Sequence, residues 1–221
     1  MKQPCLLILL FFPLFCHAQA GRMDSYLASG GLVDAAAMDT SLRVCLKYAT
    51  ADNIMGEAVY AGISGIWLHP DAARKLRRAQ RLLKERYPAY SLIVYDAARP
   101  MSVQRKMWSL VRGTDKTNYV SNPANGGGLH NYGMAVDVGI VDRLGRPLPM
   151  GTPFDYFGEE AHTTAEEGLV QSGRITREAF NNRRLLRQVM KQAGFRTIAY
   201  EWWHFNACTR QEAKANYRLI E

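Results

Sequence analysis

His130 and Asp137 stand seven positions apart in "GLHNYGMAVD" (Gly128 to Asp137), among residues too small to crowd whatever lies between them. Far along the chain, "EWWHF" (Glu201 to Phe205) carries a second histidine, His204, three positions after a carboxylate, Glu201. A hydrolytic zinc centre needs three nitrogen or oxygen ligands, an open position for water, and a carboxylate base beside it. His130, Asp137 and His204 would supply the ligands for one Zn2+ per chain, and Glu201 the base. Zinc lowers the pKa of its water toward about 7, within reach of a carboxylate at neutral pH. Gly133, Ala135 and Gly139 fit a backbone that passes close to a metal. Plainer readings stand beside this one. The first pair can be a polar strand end. In a straight strand Glu201 and His204 would face opposite ways, so a turn or bulge must intervene to bring them together.

A third stretch, "YDAARP" (Tyr95 to Pro100), sets Arg99 just before a proline. A guanidinium there can bind a carboxylate or stabilise charge developing on a tetrahedral intermediate; it can equally form a structural ion pair with Asp96. His69, His162 and Asp142 have no second feature that points to the metal, and surface or structural roles are expected for them.

These side chains need elements to hold them. "MAVDVGIV" (Met134 to Val141) alternates as a strand, with Met134, Val136, Val138 and Ile140 on one face and Asp137 on the other. "YSLIVY" (Tyr90 to Tyr95) is a buried strand. "FRTIAYEWWHF" reads as a strand running into a turn. Helices are predicted from a capping Asp71 to Pro88, from Ser102 through "SVQRKMWSLVR", and from Thr176 to a stop at Gly194. The Pro- and Gly-rich "GRPLPMGTPFDYFGEE" is a long loop of the sort that lines active sites. Strands and helices interspersed, with no dinucleotide-type glycine loop, predict an α+β fold. The expected form is a single domain with a central, mostly antiparallel sheet flanked by helices and the zinc site at one face.

The chain has 221 residues, enough for one domain with a sizeable core. Residues 1–20 read as a signal peptide: Lys2, an apolar run from Cys5 to Phe15, then "AQA", so that residues 21–221 form the mature domain. Export to the periplasm or beyond is expected, with no transmembrane anchor once the leader is gone. Cleavage leaves Cys45 and Cys208, too few for a disulfide scaffold. Those two can be buried free thiols or can pair with each other. The net charge is +8, and +7 without Lys2. Its basic runs, Arg74 to Arg86 and Arg183 to Lys191, carry apolar residues at helical spacing and read as solvated helix faces rather than a nucleic-acid surface.

Taken together these stretches resemble a known family, the zinc D-alanyl-D-alanine dipeptidases of the VanX type, within the zinc D,D-peptidase group that includes D,D-carboxypeptidases. The group pattern S-x-H-x-x-G-x-A-x-D followed by E-x-x-H is met, apart from its serine, by "GLHNYGMAVD" and "EWWH". The form E-W-W-H is similar to the dipeptidases. "KYATADNIMG" (Lys47 to Gly56), "DAARP", "MGTPFDYF" (Met150 to Phe157) and "NRRLLRQVMKQAGF" follow in the family's order. The resemblance implies His130, Asp137 and His204 as zinc ligands, Glu201 as general base and acid, and Arg99 as the transition-state arginine. It further implies Asp155 as the contact for the substrate's free ammonium group. The family serine two places before the histidine is Gly128 here, so a hydroxyl near the substrate's amino end is missing, and the usual Ser-Arg after the histidine is Asn131-Tyr132. The expected partner is a small dipeptide or a peptide derived from peptidoglycan, with wall turnover or scavenging as its setting. Alternatives are a D,D- or L,D-carboxypeptidase or endopeptidase on longer wall peptides, and a zinc-bearing module that binds wall peptides without cleaving them. Glu201 and Arg99 argue against the last, since a pure binder has no need of a base.

Overall fold

The computed structural model describes residues 15–221, with side chains from Gly21 onward. The first fourteen residues of the expected leader therefore lie outside the described residues. The chain enters through α1 (Phe15–Ser29), β1 (Val33–Asp34), α2 (Ala35–Met38), β2 (Arg43–Val44) and β3 (Trp67–Leu68). It continues through α3 (Pro70–Arg86), β4 (Ser91–Asp96), α4 (Met101–Val111) and β5 (Ala135–Val141). α5 (Glu166–Gln171), α6 (Arg177–Gln192), β6 (Arg196–Thr197), β7 (His204–Asn206) and α7 (Arg210–Asn216) complete it. β1 and β3 form a small antiparallel pair, and the main sheet runs β2-β4-β5-β7-β6. Only β2 with β4 is parallel in that sheet; every other pairing is antiparallel. The fold is α+β, with the mostly antiparallel sheet that the sequence predicts.

One sheet face makes the core. Leu92 faces Ile140, and Val94 faces Val138 across the β4–β5 ladder. They pack into one cluster with Ala72, Leu76, Ala79 and Leu83 of α3, and with Leu186 and Val189 of α6. The α3 residues recur at helical spacing, which turns Arg74, Arg77, Arg78 and Arg81 out to solvent, as read from the basic run. Burying each such Leu or Val contributes about 1.5–3 kcal/mol.

Three boundaries differ from expectation. α3 is capped by His69, whose Nδ1 accepts from Asp71 N at 3.2 Å. Pro70 takes the first helical position, where a missing N–H costs nothing, and this moves the cap two residues ahead of Asp71. α4 starts at Met101, behind Pro100, instead of being capped by Ser102. The Met101 N–H is already satisfied by Ile220 O at 2.8 Å, so no side-chain cap is required there. Last, "FRTIAYEWWHF" is a hairpin of two short strands, and residues 198–203, including Glu201, form its loop.

Cys45 and Cys208 are free thiols. Cys45 follows β2 and Cys208 follows β7, three strand spacings apart. That is roughly 14 Å, against a disulfide limit of about 7 Å between Cα atoms. Among the described residues no helix is long and apolar enough to cross a membrane.

Candidate metal centre

The sheet face turned away from α3 carries the polar residues. Asp137 lies directly opposite His204 in the β5–β7 ladder, so the two side chains leave the sheet side by side. His130 comes from the 3-10 turn Leu129–Tyr132, which ends on Gly133 at φ +64°. That left-handed conformation lets the chain pass straight from the turn into β5. A side chain at Gly133 would also meet His69 N at 2.9 Å, and one at Gly139 would meet Tyr95 Oη at 2.7 Å. Turn geometry at Gly133 and packing against Tyr95 at Gly139 therefore each call for a glycine.

His130 Nε2 lies 3.3 Å from Asp137 Oδ1 and 3.2 Å from His204 Nδ1, and His204 Nδ1 lies 3.0 Å from Asp137 Oδ1. Three donor atoms about 2.0–2.1 Å from one tetrahedral ion sit roughly 3.3 Å from each other. The other ring nitrogens are spoken for. His130 Nδ1 is 2.7 Å from Ala97 O, and a carbonyl only accepts, so Nδ1 holds the proton and Nε2 keeps its lone pair. His204 Nε2 lies 2.8 Å from Asn206 Oδ1, which leaves Nδ1 as the lone-pair nitrogen. Two imidazole lone pairs and a carboxylate oxygen thus meet at one point, each imidazole fixed from behind as metal-ligating histidines are. Asp137 is buried, which alone would raise its pKa. His130 and His204 outweigh that and hold it below the usual carboxylate range.

Glu201 reaches the same point from the hairpin loop, Oε2 3.8 Å from His204 Nδ1. The loop supplies the turn that the E-x-x-H spacing needs. Its carboxyl is buried, and burial first of all, with Asp137 and Asp155 nearby, pushes its pKa up to about 8. Arg99 is also buried. It donates from Nε to Asp96 Oδ2 at 3.1 Å, again from Nη2 to the same oxygen, and from Nη1 to Gln104 Oε1 at 3.0 Å. The ion pair with Asp96 is therefore real, yet it engages three of the five guanidinium N–H groups and leaves two for the cleft. Asp96 is placed by a register slip between Val94 and Asp96, which sets Asp96, not Tyr95, opposite Asp137.

Asp155 sits half-buried in the loop 142–165 and, among the described residues, is the one non-glycine residue with positive φ, +60°. Tyr48 donates to its Oδ2 at 2.8 Å, and the Tyr48 ring lies under Arg99, 5.3 Å from the guanidinium carbon. Burial pushes the Asp155 carboxyl up to about 7. All six residues singled out from the sequence line one cleft of about 560 Å³. Asp96, expected as a partner of Arg99, completes the arrangement with Tyr48, Gln104 and Asn206, which were given no role from sequence. Tyr48 lies within the "KYAT" stretch, the one signal that could have marked it. Gln104 and Asn206 act on near neighbours, Arg99 and His204, through local geometry that residue type does not mark. His162 bonds Tyr119 at 3.0 Å, His69 caps α3 and Asp142 holds a turn with Arg146, in keeping with structural roles.

A family profile described as peptidase M15, D-Ala-D-Ala dipeptidase, matches residues 28–219. The D-alanyl-D-alanine dipeptidase of Escherichia coli K12 is 34% identical over 79% of this chain and 83% of its own length. That of Enterococcus faecium is 30% identical over 72% of this chain and 82% of its own. A third, from Streptomyces coelicolor, is 27% identical over 75% and 86%.

Proposed function

The chain belongs to the peptidase M15 family of D-Ala-D-Ala dipeptidases, and from that membership we propose that it hydrolyses the D-Ala-D-Ala dipeptide with the help of one zinc ion. The observation that carries this reading is the convergence of His130 Nε2, Asp137 Oδ1 and His204 Nδ1 beside the Glu201 carboxylate. Bound there, zinc would supply a Lewis acid for the scissile carbonyl and a water of lowered pKa. Glu201 is the one carboxylate at the centre not engaged as a ligand; it takes the proton from the attacking water and returns it to the leaving amine. The two open N–H groups of Arg99 face the oxygen on which charge develops, held rigid by Asp96 and Gln104. Asp155, oriented by Tyr48, receives the ammonium group of the dipeptide. The apolar run and "AQA" of residues 1–20 support an exported enzyme that meets wall-derived dipeptide outside the cytoplasm, in turnover or scavenging.

The test is hydrolysis of D-Ala-D-Ala by purified protein, with and without chelator, alongside metal analysis. The expected result is about one zinc per chain, activity abolished by chelation, and loss of most zinc in His130→Ala, Asp137→Ala and His204→Ala. N-acetyl-D-Ala-D-Ala, which lacks the ammonium group, should be cleaved far more slowly. Faster cleavage of the blocked or a longer peptide would replace the dipeptidase reading with a carboxypeptidase one. Exported protein should begin at Gly21 on N-terminal sequencing.

A further inference from the structure

Gly128 leaves a space in the cleft, two residues before His130, and the structure shows what fills it. A Cβ on Gly128 would lie 2.9 Å from Ser121 Oγ and 3.3 Å from Ser121 Cβ. The Ser121 side chain thus occupies the volume that a side chain at position 128 would enter. Both residues line the cleft that holds the six site residues.

Ser121 is held there through its backbone. Gln104 Nε2 donates to Ser121 O at 2.7 Å, while Gln104 Oε1 accepts from Arg99 Nη1 at 3.0 Å. One buried glutamine therefore ties the backbone of Ser121 to the guanidinium of Arg99. The Ser121 hydroxyl, like those of Ser91 and Ser102, makes no hydrogen bond to protein among the described residues, but of these three serines Ser121 is the one that lines the cleft. A half-buried hydroxyl in a fixed place, facing a cleft and unused by the fold, is available to a ligand.

Resting on the dipeptidase reading, we propose that Ser121 is a substrate-binding residue, its hydroxyl hydrogen-bonding a polar group of the bound dipeptide from the place Gly128 leaves open. The hydroxyl missing from position 128 is then not lost to the site; it arrives from a different segment. The backbone at Gly128, φ −106° and ψ −177°, is one that any residue adopts, so only Ser121 stands in the way of a side chain there. The two positions are therefore exchangeable in principle.

That exchange is the experiment. Ser121→Ala should raise KM for D-Ala-D-Ala about three- to tenfold, the range of one neutral hydrogen bond, with kcat within about twofold and zinc content unchanged. Gly128→Ser alone should also bind substrate less well, because its Cβ meets Ser121. The double variant Ser121→Gly with Gly128→Ser should recover KM to within about twofold of wild type, better than either single change. Binding of D-Ala-D-Ala to Glu201→Gln protein, with and without Ser121→Ala, is measured by calorimetry as a readout that needs no turnover. It should weaken by the same factor. An unchanged KM and unchanged binding in Ser121→Ala, or a double variant no better than the singles, overturns the role of Ser121. If wild type fails to cleave the dipeptide, the dipeptidase reading falls while the calorimetry still decides on Ser121; absence of both cleavage and binding overturns both.

Discussion

At the scale of single residues, the site separates three carboxylates by their surroundings. Asp137 is held ionised by two imidazoles, whereas Glu201 and Asp155 are pushed up by burial, to about 8 and about 7. Each role has its own test. Glu201→Gln should keep its zinc and its fold but lose turnover by ~10²–10⁴-fold, since an amide cannot accept the proton. Near-normal turnover with zinc in place would remove Glu201 from the mechanism. For Asp155 the readout is stability. A carboxyl whose folded pKa exceeds its unfolded value near 4 binds its proton more tightly in the native state, so stability falls as pH rises from about 4 to about 7. In chelator-treated protein, Asp155→Asn should match wild type near pH 4 and melt above it at pH 8. A melting difference that stays constant with pH would refute the buried, proton-holding carboxyl. His130, Asp137, His204 and Glu201 could be singled out because their motifs together resemble a known family; each spacing alone has a plainer reading, and the structure brings the four side chains together. Asn206 and Gln104 could not be, because an amide side chain two or five positions from its partner meets it only when the local backbone is bent the right way.

At the scale of elements, long periodic segments were legible and the joints between them were not. α3 and α6 follow from their apolar stripes, and β5 from its alternation. The register slip after Val94 and the hairpin loop at residues 198–203 depend on strand pairing, which no local pattern encodes, and these two features bring Asp96 and Glu201 to the site. The loop that bears Asp155 illustrates the same point. It is anchored at both ends by Arg183 of α6, which donates from Nε to Met150 O at 2.6 Å and from Nη2 to Glu160 O at 2.8 Å. Arg183 is only 1% exposed and also lies under Trp202, whose Nε1 donates to Thr152 Oγ1 in the same loop. Arg183→Met removes both anchors and leaves one buried and one half-buried carbonyl short of a donor. The expected cost is about 2–4 kcal/mol, with KM for the dipeptide rising more than kcat falls, because Asp155 loses its fixed place. Thermal melting and steady-state kinetics check this together; a stable variant with unchanged KM would show that the loop holds itself.

At the scale of the whole molecule, the sheet divides the labour between its faces. One face buries leucines and valines under α3 and α6. The other gathers Asp96, Asp137 and Glu201 in a buried space, where Arg99 balances Asp96 and a cation shared with His130 and His204 would balance Asp137. A metal at this point joins β5, β7 and the turn before β5, segments 74 positions apart in sequence at their extremes. Anything that binds the folded chain and not the unfolded one stabilises it by mass action, so the metal should hold the fold as well as serve the chemistry. Chelation should therefore lower the melting temperature by several degrees, with about 2–4 °C for each kcal/mol lost in a domain of this size. The decisive comparison is His204→Ala, which has already lost a ligand from β7. Its melting temperature should lie near that of chelated wild type and should not move further when chelator is added. A variant that still responded fully to chelator would place the stabilising metal somewhere other than between these strands.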